Sequence, residues 1–165
     1  MRLAIVSDTH LPRGNRALPP ACVDHLRAAD LILHAGDFMT VEVLETIEAL
    51  GPPVAGVVGN VDEPELLMRL PSARVVEADG ARIAILHDAG AAAGRLERMR
   101  RRFPEADAVV FGHSHIPLHE HDFDGGFHIF NPGSPTERRR SPRHTMGMCR
   151  AEGGELGFEL VDLGP

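Results

Sequence analysis

Seven side chains able to bind a metal ion recur between residues 8 and 115: Asp8, His10, Asp37, Asn60, His87, His113 and His115. Carboxylate, imidazole and amide oxygen together suit Mn, Fe, Co, Ni or Zn, and no thiolate accompanies them to suggest a structural zinc or an iron–sulfur cluster. Gathered in one place, so many Asp and His side chains are costly to bury without a cation. Two ions about 4 Å apart would need a bridging carboxylate, and together they could lower the pKa of a bound water towards neutrality while clamping a phosphate oxygen. Asp37, central in the order, is the natural bridge.

Each of these residues follows a short apolar run. Residues 3–7, 31–35, 54–58, 82–87 and 108–111 are rich in Val, Ile, Leu or Ala and short enough to be strands buried on both faces. Asp8 and His10 follow the first run, Asp37 the second through Gly36, and Asn60 the third through Gly59; His87 ends the fourth, and His113 and His115 follow the fifth. In an open α/β sheet ligands bind at this carboxyl edge, where strand ends deliver side chains from separate segments into one crevice. Gly36, Gly59 and Gly112 are expected to supply backbone turns barred to residues with a side chain.

Helical patterns at 20–29, 41–50, 64–70 and 91–103 separate the runs, with Thr40 as N-cap of the second and Pro52 and Pro53 ending it. The alternation is that of a parallel-sheet α/β domain. Asp79-Gly80, between 74–78 and 81–86, signals a two-residue hairpin. Residues 117–123, 127–130, 144–151 and 156–161 read as strands separated by the Gly125-Gly126 and Gly153-Gly154 turns, so an antiparallel meander is expected there. The stretch 135–143, with Arg138, Arg139 and Arg140, is expected to be a mobile, solvated surface loop.

At 165 residues the chain fits a single domain, 1–165. Its formal charge of −7 works against a footprint for duplex nucleic acid. No apolar run reaches the roughly 18 residues of a membrane span, and no charged-then-apolar leader precedes the first strand, so a soluble cytoplasmic protein with no membrane partner is expected. Cys22 and Cys149 lack ligand spacing and read as inert packing residues. A homodimer is a common state for a small α/β hydrolase.

The series Asp8-Thr9-His10, Gly36-Asp37, Gly59-Asn60, His87 and Gly112-His113-Ser114-His115 resembles the calcineurin-like metallophosphoesterase superfamily, and most of all its small bacterial and archaeal phosphodiesterase branch. Each pair is weak alone; the five in order are specific. The resemblance implies an α/β fold with a two-sheet β-sandwich flanked by helices, in four layers α/β/β/α. It implies two divalent transition-metal ions, Mn first and Ni, Co, Fe or Zn as alternatives: Asp8, His10 and His115 on one, Asn60, His87 and His113 on the other, and Asp37 between them. It further implies hydrolysis of a small phosphate ester by a hydroxide bridging the two metals, with Asp37, Asn60 and His87 catalytic. Asn131-Pro132-Gly133-Ser134 resembles another motif of this branch, expected to shape the site from the antiparallel side.

Two departures bear on substrate. Many members have His after the Asn, able to protonate a leaving group; here Val61 and Asp62 follow. Many also read His-Gly-His where this chain has His87-Asp88-Ala89, so Asp88 is expected to add negative charge nearby. Substrates with good leaving groups, phosphodiesters or activated aryl phosphates, are therefore expected. Arg13 and Asn60 are candidate substrate contacts. His34 reads as a satisfied core histidine, with a hydrogen bond behind a ligand as the functional option. His119, His121 and His128 alternate with apolar residues and read as solvent-facing. Another metallohydrolase fold, prompted by His113, His115 and His119, wants Asp where Pro117 stands. A second reading of the superfamily fold is a non-catalytic protein-interaction scaffold, as in eukaryotic trafficking; such relatives lose ligands, and this chain keeps all seven.

Overall fold

The computed structural model describes residues 1–124 and 126–165, so Gly125 of the expected Gly125-Gly126 turn lies outside the described residues. The first half of the chain builds β1 (Arg2–Val6), α1 (Pro20–Arg27), β2 (Leu31–His34), α2 (Val41–Glu48), β3 (Val54–Gly56), α3 (Pro64–Arg69), β4 (Ala73–Ala78) and β5 (Ala81–Leu86). The second half builds α4 (Arg95–Arg102), β6 (Ala108–Val110), β7 (Leu118–His121), β8 (His128–Asn131), β9 (His144–Glu152) and β10 (Glu155–Gly164). They form two five-stranded sheets, ordered β10-β9-β1-β2-β3 and β4-β5-β6-β8-β7.

Both sheets are mixed, and each has a parallel core of the same design. β1, β2 and β3 are parallel in one, β5, β6 and β8 in the other, and antiparallel strands lie outside them. The expected C-terminal meander is thus not formed. β7 and β8 make a hairpin in one sheet, while β9 and β10 make a hairpin in the other, pairing antiparallel with β1. Strand patterning fixes which residues alternate, but β8 finds its parallel neighbour β6 across the intervening β7, which no local signal encodes.

Period-two alternation explains the layers. Leu3 and Ile5 of β1, Ile83 and Ile85 of β5, and Ala108 and Val110 of β6 meet between the sheets with Phe130. The alternate residues Ala4 and Val6 face outwards onto Leu26 of α1, Leu44 and Ile47 of α2, and Leu66 of α3. Ala84, Leu86 and Val109 face the other way, onto Met99 of α4. The order α/β/β/α follows. Each fully buried Leu or Ile contributes about 1.5–3 kcal/mol, so a one-residue slip of any central strand would forfeit several such contributions.

Asp79 (φ 47°) and Gly80 (φ 88°) make the expected hairpin turn. The fourth helix starts later than expected, at Arg95, because Gly94 takes a left-handed φ of 65°. Arg98 instead ties the preceding loop, its guanidinium donating to the carbonyls of Ala89, Ala91 and Ala93. Thr40 does occupy the N-cap position of α2, but its hydroxyl makes no capping bond; Val41 N–H donates to Glu63 Oε1 at 2.7 Å.

Candidate metal centre

The carboxyl ends of the parallel strands from both sheets meet at one end of the sandwich. Asp8 and His10 leave β1, Asp37 leaves β2 and Asn60 leaves β3; His87 leaves β5, and His113 and His115 leave β6. The join between sheets is bonded, since His113 N–H donates to both carboxylate oxygens of Asp8, at 3.2 and 3.0 Å.

Two groups of donor atoms result. In the first, His115 Nε2 lies 3.3 Å and His10 Nε2 3.8 Å from Asp8 Oδ1, and the two ring nitrogens are 3.1 Å apart. In the second, Asn60 Oδ1 lies 2.9 Å from His87 Nε2 and 3.0 Å from His113 Nδ1, and those nitrogens are 3.3 Å apart. Asp37 Oδ2 faces both groups, 3.5 Å from His10 Nε2 and 3.3 Å from His87 Nε2. Atoms bound to one ion at about 2.0–2.2 Å stand about 3 Å from one another, so the donor set fits shared cations. The structure brings all seven sequence-derived residues together. Asp8, His10, Asp37, His87 and His115 are buried, whereas Asn60 is exposed and His113 half-buried, which opens the site on the second group's side.

The candidate donor residues themselves make the turns that the glycines were expected to make. Asp8, His10, Asp37, His113 and His115 all have positive φ, between 44° and 69°. Such conformations cost on the order of 1–3 kcal/mol each and collect at functional sites. Of the three glycines only Gly36, at φ 94°, is left-handed. The other two permit close approach: a Cβ on Gly59 would stand 2.0 Å from Asp37 Oδ1, and one on Gly112 1.8 Å from Ser7 Oγ.

The rings are oriented from behind. His87 Nδ1 donates to the Ala35 carbonyl at 2.8 Å and His115 Nδ1 to the Glu137 carbonyl, which leaves Nε2 of each facing inwards. The Glu137 carboxylate lies 3.9 Å from His10 Nδ1 and also pairs with Arg16 at 3.1 Å and Arg13 at 3.5 Å. Arg13 therefore sits at the rim of the first donor group through Glu137. Glu137 and Arg16 escaped sequence reasoning because no motif marks them. Asp62 escaped it too: its carboxylate accepts Met39 N–H at 2.8 Å and Gly59 N–H at 2.7 Å, tying the turn that carries Asp37 to the one that carries Asn60.

The segment 135–143 is not the free loop expected from its composition. Ser134 Oγ donates to the Asp8 carbonyl at 2.7 Å, Thr136 Oγ1 to the Thr9 carbonyl at 2.6 Å, and Arg139 to the His113 carbonyl at 3.1 Å. The Asn131–Ser134 motif thus leaves a sixth parallel strand, β8, rather than an antiparallel side, and Asn131 Nδ2 donates to the Gly112 carbonyl at 2.9 Å. The Asp88 carboxylate, next to His87 in the chain, accepts Gly90 N–H at 2.7 Å. Val61, 43% exposed beside Asn60, carries no proton to give.

Burial alone would raise the Asp8 pKa; the imidazoles of His10 and His115 outweigh it and hold this carboxyl well below the usual carboxylate range. Burial likewise opposes ionisation of Asp37, and His87 together with Val61 N–H, 3.1 Å from Oδ1, wins. For His87 burial disfavours the charged ring, yet Asp37 and Asp8 raise its pKa. The centre is built to keep its carboxylates ionised, as a cation requires.

The family model for the calcineurin-like phosphoesterase superfamily domain matches residues 1–154. A probable metallophosphoesterase of Methanothermobacter thermautotrophicus is 32% identical over 166 residues, spanning 99% of this chain and 94% of that protein. Among solved structures, wild-type Vps29 of Entamoeba histolytica complexed with Zn²⁺ superposes with a TM-score of 0.77 at 20% identity, over 99% of both chains. A novel archaeal phosphodiesterase superposes with a TM-score of 0.72 at 22% identity, over 98% of this chain and 100% of that one. The two superpositions establish the fold, while the sequence matches reach further. By the extent of that domain and the identity to its archaeal relative, this chain belongs to the calcineurin-like phosphoesterase superfamily.

Proposed function

We propose that this chain is a metal-dependent phosphodiesterase in which Asp8, His10 and His115 hold one divalent ion, Asn60, His87 and His113 hold a second, and Asp37 joins the two. The observation that carries the reading is Asp37 Oδ2, placed 3.5 Å from a nitrogen of one donor group and 3.3 Å from a nitrogen of the other. Mn²⁺ is the expected ion, and the same donors accept Ni²⁺, Co²⁺, Fe²⁺ or Zn²⁺. When bound, such ions polarise a phosphoryl oxygen and acidify a water.

The protein's own part follows from its residues. Asp8 and Asp37 stay ionised, and the Nδ1 bonds of His87 and His115 fix which ring nitrogen faces inwards. Asn60, exposed at the mouth, turns its amide N–H to a phosphate oxygen, and Arg13 exchanges Glu137 for the substrate phosphate. Because Val61 cannot protonate a leaving group, the substrate is one whose leaving group departs as the anion: a phosphodiester of an acidic alcohol or an activated aryl phosphate. Family membership and the fold shared with an archaeal phosphodiesterase support this class.

The test is the purified chain loaded with Mn²⁺ and offered a chromogenic aryl phosphodiester, with turnover expected. No turnover with Mn²⁺, Ni²⁺, Co²⁺ or Zn²⁺ at a filled centre would defeat the enzyme reading. The protein-interaction scaffold would then be favoured on the same fold.

A further inference from the structure

The turns that carry His10 and Asp37 leave the metal centre side by side. His10 N–H donates to the Asp37 carbonyl at 3.0 Å, Leu11 N–H donates to the Phe38 carbonyl at 3.2 Å, and Leu11 forms a parallel bridge with Met39. Beyond that bridge the two segments part. One continues as the loop 12–18 and the other enters α2, and between them lies a cleft of about 710 Å³.

The wall of this cleft is aliphatic. Leu11 and Leu18 line it from the loop, Val23 from α1, and Val43, Ile47 and Leu50 from α2 and the residues after it. Among the described residues no aromatic side chain lines it. A nucleobase is held by stacking on aromatic rings, whereas a hydrocarbon chain needs only apolar surface to cover it. Cavities of about 300–1,000 Å³ bury most of a drug-sized ligand, so this one has room for an extended chain.

One end of the cleft is positively charged. Arg16 lines it and pairs with Glu137 Oε2 at 3.1 Å; the same oxygen lies 3.5 Å from Arg13 and 3.9 Å from His10 Nδ1. Two guanidinium groups thus share one carboxylate, which leaves one positive charge unmatched between the cleft and the first donor group. A phosphodiester carries one negative charge and matches it. Glu42 also lines the cleft, but it is exposed in the first turn of α2, where the helix N-terminus favours a negative charge.

We infer that the cleft holds an aliphatic ester chain of the substrate, so that the phosphodiester is an amphiphile with its phosphate at the donor groups and its chain running past Arg16 between the loop and α2. The inference rests on the phosphodiesterase reading and names its substrate class. An alkoxide is a poor leaving group, so the chain stays on phosphorus. Water forms the new P–O bond, the bond to the acidic alcohol breaks, its electron pair departs on that oxygen, and one water proton passes to solvent. The products are an alkyl phosphate monoester and the anion of the alcohol.

The experiment offers the Mn²⁺-loaded full chain p-nitrophenyl phosphodiesters whose second ester group is methyl, butyl, hexyl or octyl, all releasing the same p-nitrophenolate. Each methylene that enters the cleft should raise kcat/KM about fourfold, and with the far half of the chain buried octyl should exceed methyl by about a hundredfold. Leu18→Glu sets a charge in the cleft from a half-buried loop position and should return octyl to the methyl level while methyl turnover is unchanged. Equal kcat/KM along the series would overturn the inference and leave the phosphodiesterase reading standing. Turnover of none of the esters would defeat that reading and the substrate assignment with it. Preference for thymidine p-nitrophenyl phosphate over the octyl ester would overturn the aliphatic assignment in favour of a nucleoside. Methyl NMR of the Zn²⁺-loaded wild type covers the case of a misfolded variant: octylphosphonate must shift the methyl resonances of Leu18, Val43 and Ile47 where methylphosphonate does not, and unmoved resonances would refute the proposal.

Discussion

His34 offers a prediction whose size can be worked out. The ring is fully buried and stacked on Phe38 with centroids 3.5 Å apart. Its Nδ1 accepts Gly36 N–H at 3.1 Å, which puts the ring proton on Nε2, directed at Thr9 Oγ1 3.2 Å away. The Thr9 hydroxyl in turn reaches the Asp37 carbonyl at 3.4 Å. A neutral His34 therefore ties the turn carrying Asp8 and His10 to the turn carrying Asp37, and a proton on Nδ1 would set two N–H groups against each other.

Burial is the largest influence on this ring and pushes its pKa from 6.5 down to about 3. Above pH 6.5 the ring is neutral whether the chain is folded or unfolded, and its contribution to stability is complete. As the pH falls from 6.5 towards 3 the unfolded chain takes up a proton that the folded chain refuses, so stability is lost progressively across that window. At about 1.4 kcal/mol per pKa unit, the whole loss is about 5 kcal/mol, of which about 2 kcal/mol is gone by about pH 5. His34→Asn retains an acceptor for Gly36 N–H but cannot titrate. Urea unfolding of both proteins in chelator, at about pH 8 and about pH 5, isolates the effect, since the remaining histidines titrate in both and cancel in the difference. Wild type should lose about 2 kcal/mol more than the variant between the two conditions. Equal losses would show that the ring is not held neutral, and the tie between the two turns would fall with it.

Asp37→Ala should abolish turnover and lower metal content, because one oxygen faces both donor groups; retained activity with two ions bound would mean that the bridge is misassigned. Glu137→Ala should weaken metal binding by about tenfold or more, through loss of the carboxylate behind His10, and should free Arg13 and Arg16. Metal titration checks this, and unchanged affinity would reduce Glu137 to a surface ion pair. Asp62→Ala leaves Met39 N–H and Gly59 N–H without their acceptor, each costing about 1–3 kcal/mol unless water replaces it. A urea midpoint equal to wild type would show that water does so.

What the sequence revealed, and what it hid, follow one division. Asp8, His10, Asp37, Asn60, His87, His113 and His115 were legible because each sits directly after an apolar run, and a strand's end is a local property. The four-layer order, by contrast, came from family resemblance, and the partner of β8 came from neither, since strand pairing across an intervening strand is settled by tertiary packing. Glu137 and Asp62 were hidden for a related reason. A carboxylate that orients a ring or ties two turns has no required spacing from the groups it serves, and Glu137 lies far along the chain from His10. The arginine run misled because composition reports the solvated Arg138 and Arg140 but not the bonds that Ser134 and Thr136 make beneath them.

The same division separates scaffold from site. Inside the sandwich the strands follow local rules: successive apolar residues face opposite layers, turns carry Asp-Gly or Gly-Gly, and the core clusters are apolar. Departures gather at the carboxyl ends of the parallel strands. Five donor residues adopt left-handed backbone there, imidazole nitrogens face each other at 3.1 Å, and two carboxylates are buried and ionised. Each feature costs free energy in the isolated chain, and a cation would offset the electrostatic ones together, which is why such conflicts mark a site rather than a defect.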